Sequence, residues 1–324
     1  MLSHTHSRCY LSLMPMVSII MCAYNCEAYI GRAIESIINQ TYHDWELIIS
    51  DDCSTDNTTA IVEAYKDLRI RLVRQPYNLG YLKNKNAAFG YAAGNLLTQL
   101  DADDTCPPLR IEKQVAAFHN PEVVICGTNY NLVDANDRII QELKEYQNDY
   151  FVRGPVQQFP FWYPGLMFRR TVMNEFGLFS EYFTGIVGDD EYWTYRINSK
   201  YPIYFVKDVL YNYRIHGESL TNVYDKPRKM LVAEILTELF RQRKETGTDM
   251  LEKGEESEMR AFEERLLADK KLMAEKYRLW AAKAIDKKQF EQAGKMLTKS
   301  FAMNMVNPQF YKTLLYYTRR KISG

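Results

Sequence analysis

An α/β fold with a doubly wound, mostly parallel sheet is predicted by three observations. Four short apolar runs alternate with four helical patterns between residues 16 and 118. The first run, at 16–23, is apolar at almost every position, as suits a strand buried on both faces of a parallel sheet. The residues after the first, second and fourth runs are polar, and two of these clusters are rich in carboxylates. Strand–helix alternation of this kind gives parallel neighbours, and the ligand crevice of such a sheet lies beyond the carboxyl ends of its strands.

The elements follow in order. After the first strand comes Tyr24-Asn25-Cys26-Glu27, then a helix with Ile30, Ala33, Ile34, Ile37 and Ile38 on one face. Leu47-Ile48-Ile49 forms a second strand that runs into Ser50-Asp51-Asp52-Cys53-Ser54-Thr55-Asp56. The next helix turns Ile61, Val62 and Tyr65 inward, with Ser54 or Thr55 as its expected cap. A third strand at 70–73 leads through Asn78-Leu79-Gly80 to a helix over about 83–93. The fourth strand, 96–100, opens directly into Asp101-Ala102-Asp103-Asp104. Pro107 and Pro108 start a helix whose apolar face is Leu109, Ile111, Val115 and Phe118. Short strands, aromatics and turns mix from 123 to 213. Beyond 226 the pattern is helical: an amphipathic helix at 230–243, a charged linker at 247–258, and helices over 259–320. The last of these include a tetratricopeptide-like hairpin from Trp280 through Phe290, Ala293 and Leu297 to Asn307-Pro308. One such unit cannot bury its own face, so it is expected to pack on the catalytic domain or on a second copy of the chain.

Composition bounds the function. The 324 residues allow one large domain plus an appendage, or two domains. With 46% hydrophobic and 25% charged residues the chain can build a core. Lys+Arg and Asp+Glu are 41 each, and zero net charge argues against nucleic acid as a partner. Six scattered cysteines without a Cys-x-x-Cys pair read as the reduced thiols of a cytoplasmic protein. No run of eighteen apolar residues appears. Residues 1–15 read as a disordered or non-native start, with Met14 or Met16 the natural one.

Asp101 and Asp103 are the sharpest chemical feature. Two residues apart at a strand end, they point the same way and can face one ligand. Hard carboxylate oxygens suit Mg²⁺ or Mn²⁺, which usually also sits on substrate phosphates. Standing alone, the motif reads equally as a solvated turn with Asp104 capping the next helix. Asp51-Asp52 ends the second strand at the same edge, however, and two converging acidic clusters repel unless a cation or donor groups lie between them.

The chain resembles the family 2 glycosyltransferases of the GT-A fold over roughly residues 16–222. Residues 17–25 are similar to their first strand and its Tyr-Asn ending, with Cys22 where a proline is common. Asp51-Asp52-Cys53-Ser54-Thr55-Asp56 resembles their Asp-Asp-Gly-Ser-Thr-Asp motif. Asn78-Leu79-Gly80 with Lys85-Asn86 matches a segment that usually carries arginine at the Lys85 position. Asp101-Ala102-Asp103 resembles their Asp-x-Asp, and Gly188-Asp189-Asp190 with Trp193 and Arg196 their Gly-Glu-Asp block. Tyr213-Arg214-Ile215-His216 through Ser219 matches a closing motif.

The resemblance implies a donor site and a base. Ala23, Tyr24 and Glu27 would surround the nucleotide base, with Tyr24 stacking on it, and Asp52 would bind the uracil edge. Lys85 would act as a point charge toward the nucleotide. Asp101 would contact the ribose or assist the ion, Asp103 would ligate the metal directly, and His216 would complete the site, a nitrogen ligand tilting the choice toward Mn²⁺ over Mg²⁺. Asp190 would be the base of an inverting transfer, its proton affinity raised by Asp189 and Glu191. Structural readings stand beside these: Tyr24 as a core tyrosine, His216 as a packed histidine, and the acidic trio as a helix cap.

Phe159, Phe161, Trp162 and Tyr163 form an aromatic cluster able either to floor an acceptor sugar or simply to pack. Residues 311–321, with Tyr316-Tyr317 and Arg319-Arg320-Lys321, suit an anionic membrane surface or a solvated helix end. The expected partners are a nucleotide-diphosphate sugar and a glycan or lipid-linked glycan acceptor, met at the inner face of the cell membrane. A nucleotide-sugar-binding protein without catalysis is the rival reading. A nucleotidyltransferase is disfavoured because residues 22–28 hold no Gly, Arg or Lys for a phosphate loop.

Overall fold

The computed structural model describes residues 17–142, 146–156, 159–161, 163–216 and 226–323. They fall into two compact units. One holds the chain up to Thr184 and from Asp189 through the last strand; the other holds Gly185–Gly188 and the carboxyl-terminal helices.

The first unit runs β1 (Val17–Ala23), α1 (Ile30–Ile38), β2 (Trp45–Asp51), α2 (Thr58–Ala64), β3 (Ile70–Arg74), α3 (Tyr81–Phe89), β4 (Leu96–Gln99) and α4 (Arg110–Ala117). It continues with β5 (Ile125–Val133), β6 (Ile139–Glu142), β7 (Tyr150–Val152), β8 (Met167–Arg169), α5 (Arg170–Phe176), α6 (Asp189–Asn198) and β9 (Ile203–Arg214). The strands make one sheet in the order β3-β2-β1-β4-β8-β5-β9-β7, with β6 beside β5. β3, β2, β1 and β4 are parallel, with Ala23 level with Asp51. The chain moves outward from β1 to β3 and then returns to the other side of β1, which makes the β1–β4 junction a switch point with an open crevice.

Burial explains these elements. Val17, Ile19, Ile20 and Met21 are all enclosed, and Ile30, Ala33, Ile34 and Ile37 of α1 pack on that layer. β8 is antiparallel to both β4 and β5, and β5 is parallel to β9. Two reversals cancel, so β9 also ends at the edge where β1, β2 and β4 end.

Three local expectations are corrected. Neither Ser54 nor Thr55 caps α2: its first N–H groups go to Asp56 and Glu27, because Ser54 is engaged by the Asn25 N–H instead. Leu109 stands exposed ahead of α4, and the buried apolar face begins at Ile111. Residues 247–258 are ordered rather than a charged linker. Gly247 stops α7 (Val232–Thr246) in the left-handed conformation, Asp249 is buried against Arg243, and α8 (Glu256–Ala268) starts within that stretch.

The second unit continues with α9 (Lys270–Asp286), α10 (Phe290–Met303) and α11 (Pro308–Ser323). Asp269 caps α9 by accepting the Lys271 and Leu272 N–H groups. Ala284, Ile285 and Ala293 form the small-residue seam between α9 and α10, and Ser300 Oγ donates to the Ala274 carbonyl across it at 2.7 Å.

Candidate functional site

The β1 and β2 ends are laced together by short polar side chains. Asn25 takes a positive φ of 48°, its N–H donates to Ser54 Oγ, and its Oδ1 accepts from the Thr55 N–H. The Glu27 carboxylate accepts from Asn57 N and Nδ2 at 2.9 and 2.7 Å, so it holds the entry to α2. Asp52 is buried and accepts the Leu79 and Gly80 N–H groups at 2.7 and 2.9 Å, while its own N–H donates to the Ala23 carbonyl. Gly80 is required there: φ is +82° where that N–H turns onto Asp52. Beside it, Asp51 Oδ2 accepts from Ser54, and its buried Oδ1 has no partner among the described residues. Tyr24 stands 51% exposed above this floor, an open ring rather than a core tyrosine.

The β4 end divides its three carboxylates between two tasks. Asp104 does not cap a helix. It is buried, accepting from Tyr211 Oη at 2.7 Å and the Arg214 N–H at 2.7 Å, and so fastens β9 to the loop. Asp103 Oδ2 lies 2.8 Å from His216 Nε2, the residue that follows β9 by two positions. Carboxylate oxygens of Asp101, Asp103 and Asp104 lie within 4.8 Å of one another. Burial first, then the charge of Asp103, raises the Asp101 carboxyl above the carboxylate range. Crowded carboxylates with an imidazole nitrogen beside them fit a hard divalent ion. With Asp104 committed to β9, Asp103, His216 and Asp101 are the residues that could hold such an ion.

Sequence reasoning missed what holds His216. Its ring packs on Tyr29 at 4.8 Å between centroids, and the guanidinium groups of Arg214 and Arg32 lie 5.3 and 5.5 Å from the Tyr29 ring. Asp137, at the tip of the β5–β6 turn, pairs with both arginines. Arg214 Nε also donates to the Asp103 carbonyl at 2.6 Å. The sequence hint was thin: an Arg two residues before His216 and an Asp-Ala-Asn-Asp turn far away in the chain.

Where the middle of α3 meets the start of α6, Lys85 is 1% exposed with Nζ 3.0 Å from Asp189 and 3.5 Å from the Phe179 ring centre. Burial works against its charge, yet Asp189 and then Asp190 outweigh that and hold the ammonium above the lysine range. Lys85 is thus committed to the acidic block. Asp190 keeps its carboxylate outside that pair, with Oδ1 accepting the Glu191 N–H at 2.9 Å. Burial first and the Asp189 charge second push its carboxyl to about 7. The expected rise is there, with burial rather than like charge as the larger cause. Trp162 and Ser219 lie outside the described residues. Phe159, Phe161 and Tyr163 pack with one another at 5.1–6.1 Å.

The fold and this rim define a doubly wound α/β protein with an acidic crevice at its switch point. The glycosyl transferase family 2 model matches residues 18–185, and the chain belongs to that family. The match ends ahead of Asp190 and His216, whose place rests on the geometry above. Among relatives, an uncharacterized glycosyltransferase of Haemophilus influenzae is 30% identical over 242 residues, 69% of this chain and 73% of that one. The UDP-Glc:alpha-D-GlcNAc-diphosphoundecaprenol beta-1,3-glucosyltransferase WfgD of Escherichia coli is 36% identical over 121 residues, 37% of this chain; the chain spans about half of WfgD, 48%. Among solved structures, S. aureus TarS 1–349 in complex with UDP-GlcNAc gives a TM-score of 0.56 at 22% identity, covering 68% of this chain and 65% of that one. That likeness shows the shared fold.

Proposed function

We propose that this chain transfers a sugar, with inversion, from a UDP-linked donor to an acceptor hydroxyl in the synthesis of a bacterial surface glycan. The observation that carries the reading is the 2.8 Å approach of Asp103 and His216, from segments far apart in sequence, on the rim that also holds Asp190. Support for the donor comes from TarS, solved with UDP-GlcNAc, and support for a lipid-linked acceptor from WfgD, a glucosyltransferase named for alpha-D-GlcNAc-diphosphoundecaprenol. The acceptor would be met at the cytoplasmic face of the membrane.

Asp103 and His216, with Asp101 beside them, would hold Mn²⁺ or Mg²⁺, which supplies positive charge to the diphosphate leaving group. Tyr24 is open to stack on the base, and Ala23 and Glu27 shape the loop beneath it. Asp52 holds the Leu79–Gly80 backbone against that loop and keeps its remaining lone pairs for the uracil edge. Asp190 takes the proton of the acceptor hydroxyl as its oxygen bonds to the anomeric carbon, and the bond to the diphosphate breaks with its electron pair on the leaving oxygen. Asp189, ion-paired with the buried Lys85, stands next to Asp190 at the start of α6.

The test is a panel of nucleotide sugars with Mn²⁺ and a lipid-linked acceptor. UDP release is expected from the wild type; none with any donor identifies a sugar-nucleotide-binding protein instead. Asp103→Ala should abolish Mn²⁺-dependent UDP binding. Asp190→Asn should keep it and lower transfer by about 10²–10⁴-fold. Because the base must be deprotonated and its carboxyl titrates at about 7, transfer should rise with pH through neutrality rather than near pH 4. Normal transfer by Asp190→Asn would remove the base assignment.

A further inference from the structure

We infer that α11 presents an anionic-lipid-binding face: an exposed apolar stripe flanked by cations, built to lie in the interface of a negatively charged bilayer. Phe310, Thr313 and Tyr317 turn inward toward the other helices. On the outward side stand Tyr311, Leu314, Leu315 and Ile322, the last two 52% and 82% exposed. At the helical repeat these four fall within an arc of about 100°. Met305 and Val306, the latter 86% exposed, extend the apolar surface at the α10–α11 turn. A groove of ≈ 420 Å³ lined by Leu297, Phe301, Phe310, Tyr311, Leu314 and Tyr317 runs beside the stripe.

Charge decides the occupant. α11 carries Lys312, Arg319, Arg320 and Lys321 and no Asp or Glu. By helical position Lys312 and Arg319 border the stripe on one side and Lys321 on the other. None of these three makes an ion pair among the described residues, whereas the exposed Lys295 of α10 pairs with Glu291. A second copy docked symmetrically on this face would set cation against cation. An anionic bilayer offers hydrocarbon to the stripe and phosphate to its rim, and Tyr311 and Tyr316 suit the headgroup level. No described helix is long and apolar enough to cross a membrane, so contact of this kind would be along the surface. The inference builds on the reading of a lipid-borne acceptor and supplies the means of reaching it.

The full chain is to be sedimented with vesicles of phosphatidylcholine alone or with phosphatidylglycerol added. Binding should require phosphatidylglycerol and weaken as salt is raised. Lys312→Gln/Arg319→Gln/Lys321→Gln should lose about fivefold per cation, on the order of a hundredfold together. Leu315→Ser/Ile322→Ser should weaken binding at every salt concentration. UDP release from donor in free solution should be unchanged in both variants, so failure here is separable from failure of the glycosyltransfer reading. Equal binding to both vesicle types, or to neither, overturns the inference. So does a wild-type dimer in solution that Leu315→Ser/Ile322→Ser dissolves, because that would make the face a contact between copies.

Discussion

The rim of the sheet and the carboxyl-terminal helices use the same charged residues in opposite ways. At the rim, Lys85 and Asp189 are 1% and 6% exposed, Arg214 is fully enclosed, and Asp52 and Asp104 are buried. Along the helices several pairs are local and wet: Arg241 with Glu238 and Glu245, Arg260 with Glu256, Lys295 with Glu291. Burying an ion is costly unless its partners are fixed, whereas an exposed pair gains little over water. The contrast teaches where position rather than stability has been selected. Ionisable groups are enclosed at the rim because their geometry matters there. Arg243 with Asp249 and Arg228 with the buried Glu263 are helical exceptions, and the first holds a turn rather than a site.

Substitutions can break or sharpen this contrast. The largest effect is expected for Lys85→Met, which strands Asp189 without its cation; unfolding by urea should show a loss of about 3–5 kcal/mol. If stability were unchanged, the pair would not be as enclosed as the structure has it. A smaller and more local effect is expected for Tyr29→Ala, which removes the ring packed on His216. Mn²⁺ affinity in the presence of UDP, followed by electron paramagnetic resonance of the ion, should fall about 10–100-fold, as for residues that orient a metal ligand. Tyr29→Phe keeps the ring and should restore the affinity. The smallest effect belongs to Arg241→Ala on α7, where exposed pairs are lost and the melting midpoint should not move measurably.

Much of the rim was legible before folding because strand ends announce themselves. An apolar run that ends ahead of the polar clusters after Ala23, Ser50 and Leu100 fixes which residues sit at the crevice, whereas Asp101 and Asp103 are brought together by a turn beyond β4 and not by the strand's period of two. Cap assignments at Ser54 and Thr55 failed because propensity ranks cap residues without knowing that Asn25 would claim one of them. The linker expected at 247–258 failed for a related reason. Its charge was read as solvated, yet Arg243 gives Asp249 a buried partner.

The amino-acid sequence by itself determined the alternation of strands and helices, the acidic ends of β2 and β4, and the amphipathic faces, because each depends on residues near one another in the chain. Only the tertiary structure decided that the end of β9 meets the loop after β4, with Asn212 bridged to Thr105, and hence that His216 reaches Asp103 while Asp104 turns to Tyr211. It also decided that Lys85 answers Asp189. Those partnerships depend on strand order and on which carboxylate finds a donor first, and no local period records either.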